Sequence, residues 1–308
     1  MATFQIFKHK YFKVFIVIFI FGFLLAGAKS AEVQQSPAQE TSKSCLWSVR
    51  SGSGTIYLLG SIHLLKADAY PLTTAIEQAY SASQKIVFET DLEAMTDPNV
   101  QKQMLGLGLY PEGQNIYQNL GEDTLNSLKK KMAEMGLPMQ QFVQFKPWFI
   151  ALTLATVELM RLGYDPNYGT DMHFLKRAKE DGKKLGFLEP VEYQINLLGK
   201  MNKGDQDSLL RQTLKEMDIV AKLAADITAS WKRGDANNLD KLMNKSFEGH
   251  PNIRERLLVQ RNRQWVSQIE KFIKADKNVL VIVGAGHLVG PDSVVDLLEQ
   301  KRYQVKQK

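Results

Sequence analysis

Two segments far apart in the chain repeat one order of residues. Residues 54–59 (GTIYLL) are a short β-branched and aromatic run that leads into Gly60-Ser61-Ile62-His63. Residues 278–283 (NVLVIV) lead likewise into Gly284-Ala285-Gly286-His287. A proline follows each, Pro71 or Pro291, and then residues with helical spacing. Two further runs read as strands, 85–89 (KIVFE) and 183–188 (KKLGFL), with a last edge strand at 302–306. Between them the pattern is helical: about ten residues from Asp97-Pro98, most of 121–164, 171–181, 191–200 and nearly all of 205–275, with breaks near Gly234 and Gly249–Pro251. Strands alternating with helices at both ends predict an α/β fold. The expected sheet is central, mixed and mostly parallel, with a large helical insertion over about 121–275.

The run 148–162 (WFIALTLATVELMRL) is apolar on most faces. It is too short for a membrane span and carries Glu158 and Arg161, so it predicts a buried helix. The 308 residues are 44% hydrophobic and 23% charged, which excludes a disordered or collagen-like chain. The single cysteine, Cys45, excludes an internal disulfide framework and a cysteine-rich zinc module.

A formal charge of +6 invites a nucleic-acid reading, but its distribution argues against one. Lys8, Lys10 and Lys13 open the chain with no acid among them. Val14 to Ala26 follow as an apolar run, and then Ala26-Gly27-Ala28. That order is a secretory signal over 1–28, with residues 29–44 as a flexible polar leader and 45–308 as the folded domain. Cutting after Ala28 removes three lysines and no acid, so +6 falls to +3. The expected location is the periplasm or outside the cell, with membrane contact only through an uncleaved signal. Nucleic acid is not an expected partner.

The predicted strands end in His63, Glu89, Glu189 and His287. In an open parallel sheet ligands bind outside the carboxyl ends of the strands. Two imidazoles with one or two carboxylates there make a usable ligand set for a divalent ion. With five His and 21 Gly, chance supplies roughly 0.3 Gly-x-x-His matches, and two occur. A glycine one turn before each histidine lets the backbone bend off the strand and approach a ligand. Glu192 follows Glu189 at a helix start, and Asp171 with His173 opens another. In VQRNRQWVSQI, Arg261 is either a solvated surface charge or turned inward to stabilise an oxyanion, with Asn262 beside it.

GSIHLL at 60–65, VFETDL at 87–92, residues 168–198, RNRQW at 261–265 and residues 279–305 resemble the TraB/PrgY/GumN family, which includes the Tiki extracellular metalloproteases. The resemblance runs over nearly all of 45–305. It implies a fold similar to the erythromycin-esterase and ChaN-like group. It also implies a metal site at His63 and His287 with Glu89 as acidic partner, and an Arg-Asn pair at Arg261 and Asn262. Arg302 departs from the pattern, standing where many members carry glycine.

Three functions follow. The first is an exported metal-dependent hydrolase, a peptidase acting on a peptide or protein, with zinc, manganese or cobalt held by His63, His287 and Glu89. Glu89 would be ligand or general base, and Arg261 would steady the oxyanion. The second is a non-catalytic envelope protein that sequesters a peptide, metal or tetrapyrrole. The third is a metal-free esterase using His and Glu as acid and base. No H-E-x-x-H and no Gly-x-Ser-x-Gly occurs, which excludes an ordinary zincin and argues against a serine elbow.

Overall fold

The computed structural model describes residues 43–52, 54–244, 247, 249–275 and 277–308. The expected signal at 1–28 and all but the end of the expected leader lie outside the described residues. Among the described residues no helix is long and apolar enough to cross a membrane.

The chain forms two compact units. In the first, one mixed sheet contains β1 (Leu46–Ser51), β2 (Gly54–Ser61), β3 (Lys85–Phe88), β4 (Lys184–Phe187), β5 (Val279–Gly284) and β6 (Val305–Gln307). Their order is β4-β3-β5-β2-β1-β6, and the sheet is open. β4, β3, β5 and β2 run parallel, while β1 is antiparallel to both of its neighbours. The α/β class and the mostly parallel sheet are as expected from the sequence.

β5 lies at the centre because it can afford no wet face. Val279 to Val283 are all buried, as a parallel strand covered on both sides must be. β4 is an edge strand whose end residues are exposed. β1 is absent from the pattern reading. LWSVRS lacks clean alternation, and it pairs with β2 through a tight turn that includes Gly52 at φ 49°. Ser44, the last residue of the expected leader, is buried and donates its N–H to the Lys308 carbonyl.

Helices of this unit fill the connections. α1 (Thr74–Ala82) joins β2 to β3. The helical unit, formed by residues 91–162 and 190–221, comes next in the chain. It contains α2 (Pro98–Gly108), α3 (Glu122–Glu134) and α4 (Pro147–Arg161). α5 (Thr170–Glu180) leads into β4 in the sheet unit, and α6 (Val191–Gly199) and α7 (Lys203–Glu216) complete the helical unit. Within that unit α4 packs on α7, α2 on α6 and α3 on α7. The apolar run at 148–162 is the buried α4, whose residues from Pro147 to Thr156 are all buried. The expected single insertion at 121–275 is thus divided: residues 163–189 and 222–275 belong to the sheet unit.

α8 (Val220–Lys232) carries the chain back to the sheet unit, followed by α9 (Ala236–Asn244) and α10 (Pro251–Arg254). A π-helical segment, Glu255–Val259, then runs without a break into α11 (Gln260–Lys274). α11 buries Arg261, Asn262, Trp265, Val266, Ile269 and Ile273 and packs on β1 and β2. α12 (Val294–Gln300) follows β5. Arg302, the position expected to favour glycine, has φ 67°, in the left-handed region that costs an ordinary side chain about 1–2 kcal/mol.

Candidate functional site

The two Gly-x-x-His segments lie side by side. In the β2–β5 pairing Gly60 is opposite Val283 and Ser61 opposite Gly284, so the motifs are offset by one residue. β3 pairs on the other side of β5, with Phe88 opposite Ile282, which brings Glu89 level with the end of β5. The Glu189 N–H donates to the Glu89 carbonyl at 2.9 Å, fixing the fourth strand end next to the second. The four groups expected at strand ends therefore share one edge of the sheet.

The glycines serve close approach rather than a strained turn, since neither has a positive φ. A methyl group on Gly60 would stand 2.5 Å from Cys45 Sγ. On Gly284 it would stand 3.2 Å from Glu89 Oε1, 3.6 Å from His287 Cδ2 and 3.7 Å from His63 Nε2. Gly284 is thus the point on which both histidines and Glu89 converge. Its N–H also donates to Glu89 Oε1 at 2.6 Å.

His63 is held by its inner nitrogen. Nδ1 lies 2.7 Å from Asp171 Oδ2, on the first turn of α5. The carboxylate accepts the Nδ1 proton and leaves the lone pair on Nε2, the arrangement that orients a base or a ligand. Burial works against charge on His63, but Asp171, with help from Glu89, more than offsets it and raises the pKa above 6.5. The His63 side chain is 22% exposed, whereas that of His287 is 4% exposed.

His287 is sealed and neutral. Asn262 Nδ2 donates to the Asp292 carbonyl at 2.8 Å, so its Oδ1 faces His287 Nδ1 at 2.6 Å and accepts that proton. Nε2 then carries the lone pair and accepts from Arg261 Nη1 at 3.0 Å. Burial, reinforced by the Arg261 charge, pushes the His287 pKa down to about 3.

Arg261 organises the rest. Nε donates to Glu189 Oε1 and Oε2 at 3.0 and 3.3 Å. Nη2 donates to Glu89 Oε2 at 2.6 Å and Glu189 Oε1 at 2.8 Å, and Nη1 to the Leu257 carbonyl at 3.0 Å. With the bond to His287, all five N–H donors of the guanidinium have acceptors. Its face lies over Trp265 at 4.6 Å, and Trp265 Nε1 donates to Glu189 Oε2 at 3.0 Å. The π segment helps explain this placement. The Gln260 N–H reaches back to the Glu255 carbonyl, one residue farther than in an α-helix, and α11 enters with Arg261 and Asn262 both turned inward. Burial raises the Glu89 pKa, but Arg261, His287, His63 and the Gly284 N–H together bring it down to about 2.

The oxyanion role expected for Arg261 does not agree with this geometry. All five donors of this guanidinium are engaged and the residue is 4% exposed, so it has no donor to offer a substrate. Glu189, expected at the strand end, is its main partner. Asp171 and Asn262 join the site as orienters of the two imidazoles. Glu192 is exposed on the first turn of α6, and its carbonyl accepts from Asn196. His173 meets Tyr70 at a tilt and Phe174 edge-on, away from the contacts above. Sequence reasoning missed Trp265 and Asp292 as parts of the site. Trp265 is four residues from Arg261 and shares its helix face, which was the available signal.

The donor chemistry of His63, Glu89 and His287 suits a divalent ion, but their arrangement does not. Among the described residues no group of three or more His, Cys, Asp or Glu is arranged to hold one. Arg261 occupies the His287 lone pair and one Glu89 oxygen.

Comparison with known proteins adds identity to this geometry. The chain is 26% identical to the uncharacterised protein YbaP of Escherichia coli (strain K12) over 248 residues, which is 80% of this chain and 89% of YbaP. It is 23% identical to Metalloprotease TIKI2 of Xenopus tropicalis over 323 residues, 87% of this chain and 60% of TIKI2. An uncharacterised protein of Treponema pallidum (strain Nichols) is 22% identical over 271 residues, 83% of this chain and 80% of that protein. No solved structure matches at a significant level. The sequence profile of the TraB/PrgY/gumN family matches residues 45–307, the whole of the sheet-and-helix structure described above, and the chain belongs to that family.

Proposed function

We propose that the chain is a hydrolase with His63 as general base, acting on the acyl bond of a peptide. The observation that carries this reading is the His63–Asp171 pair, with Nε2 turned to Gly284 and Glu89 on the one partly open imidazole of the site. Nε2 takes a proton from the attacking water, and Asp171 steadies the imidazolium that forms. The imidazolium then returns the proton to the leaving nitrogen as the acyl bond breaks. Glu89, ionised because Arg261 holds it so, stabilises the same imidazolium from the other side. His287 is kept neutral and shut away, and packs the floor of the site.

The peptide as substrate is supported by the relatives named as metalloproteases, 20–23% identical to this chain. Export to the periplasm or beyond is supported by the basic, apolar and small-residue order of residues 1–28.

The test is turnover of an unfolded protein and of a panel of peptides and carboxylic esters by the wild type and His63→Ala. Loss of a general base lowers turnover by about 10²–10⁴-fold. Equal turnover by both proteins would refute the role of His63. Wild-type protein that binds peptides without cleaving any would favour the sequestering reading.

A further inference from the structure

We infer that Arg261 is the resident cation of this site, standing where a divalent ion would have to be held, so that His63, Glu89 and His287 take up no metal in the native chain. The inference is independent of the hydrolase reading, because metal content and turnover are separate measurements.

The tautomer of His287 is fixed by its neighbours. Asn262 cannot rotate its amide without losing the Asp292 carbonyl, so it accepts the Nδ1 proton. The only lone pair a metal could use is then on Nε2, and Arg261 Nη1 is already 3.0 Å along that direction. A zinc–imidazole bond is about 2.0–2.1 Å long, which would leave the ion roughly 1 Å from a guanidinium nitrogen. Metal and guanidinium exclude each other sterically before their charges are considered.

Arg261 has nowhere cheaper to go. Its donors are divided among Glu89, Glu189, Leu257 and His287, and Trp265 covers its face. Guanidinium stays protonated under all conditions a protein survives. It thereby does for Glu89 what a metal would do: it makes a buried carboxylate tolerable as an anion. Moving it aside would take the guanidinium charge and its hydrogen bonds away from the buried Glu189 carboxylate.

A corollary follows. Without the guanidinium, His287 Nε2, Glu89 and Glu189 lose their common donor, and together with His63 they form the ligand set that the strand ends suggest. Arg261→Ala should convert the site into one that binds Co²⁺ or Zn²⁺.

The test uses the full chain purified without chelator. Elemental analysis and calorimetric titration with Zn²⁺, Mn²⁺ and Co²⁺ are run on the wild type, His63→Ala, His287→Ala, Arg261→Ala and Arg261→Ala/His287→Ala. The wild type is expected to carry at least about tenfold less than one ion per chain. Arg261→Ala is expected to bind about one Co²⁺ with visible absorption bands, lost in the double variant. About one ion per wild-type chain, lost in His63→Ala and in His287→Ala, would overturn the inference whatever the turnover data show. A folded Arg261→Ala that binds no ion would overturn the corollary. If that variant does not fold, the wild-type loading decides the inference by itself.

Discussion

Replacing Glu189 by glutamine tests the buried network most directly, because it changes one charge and almost no volume. Glu189 is 6% exposed and accepts from Arg261 Nε, Arg261 Nη2 and Trp265 Nε1. Both of its oxygens are in use. Whichever position the glutamine NH₂ takes, a donor faces a donor, and the guanidinium keeps only Glu89 as counter-charge. Breaking a buried ion pair from one side costs about 3–5 kcal/mol, most of it from the charge left behind. For a domain of this size each kcal/mol shifts the melting temperature by about 2–4 °C, so a fall of roughly 6–20 °C is expected. Thermal unfolding followed by far-ultraviolet circular dichroism would measure the fall, and urea unfolding followed by tryptophan fluorescence the free energy. Glu192→Gln is the control, since that carboxylate is exposed and should change stability by less than about 0.5 kcal/mol. If Glu189→Gln is within about 1 kcal/mol of the wild type, the buried network is not the stabilising element argued for it.

Three other outcomes follow. Glu89 has a folded pKa of about 2 against 4.5 unperturbed, so its contribution is complete above pH 4.5 and fades as pH falls toward 2. That difference corresponds to on the order of 3 kcal/mol, and urea midpoints across this window should fall less in Glu89→Gln than in the wild type. Asp171→Asn removes the charge that raises the His63 pKa, so the acid limb of a pH–rate profile should move to lower pH while turnover falls; an unmoved limb would show that His63 is not the titrating base. Cys45 is 1% exposed and burial pushes its thiol pKa up, so a thiol reagent should label it only when the protein is unfolded, and rapid native labelling would contradict its packing against Gly60.

Much of the site was legible because strands advertise their ends. β5 is a continuous apolar run, and a parallel strand of that kind must place whatever follows it at the carboxyl edge of the sheet. That rule puts His63, Glu89, Glu189 and His287 at one edge, where the structure has them. β1 was not legible, because its pattern has no period and its partner is supplied by a turn. Asp171 was visible only as an acidic residue at a helix start. Its bond to His63 spans 108 positions of sequence, and no local pattern encodes such a pairing.

Apolar patterning was enough to read the fold class, the duplicated Gly-x-x-His segments and four chemical groups at strand ends. These follow from the spacing of apolar residues and from the geometry of parallel strands. The charge, tautomer and exposure of those groups came only from the folded neighbours. Tertiary structure made His63 the open imidazole and His287 the closed one, although their motifs are nearly identical, because Asp171 orients one and Asn262 with Arg261 occupies the other. It settled Arg261, readable either as a surface charge or as turned inward, as the shared partner of two carboxylates and an imidazole. Charge, tautomer and solvent access are set by neighbours distant in sequence, and those neighbours exist only once the chain has folded.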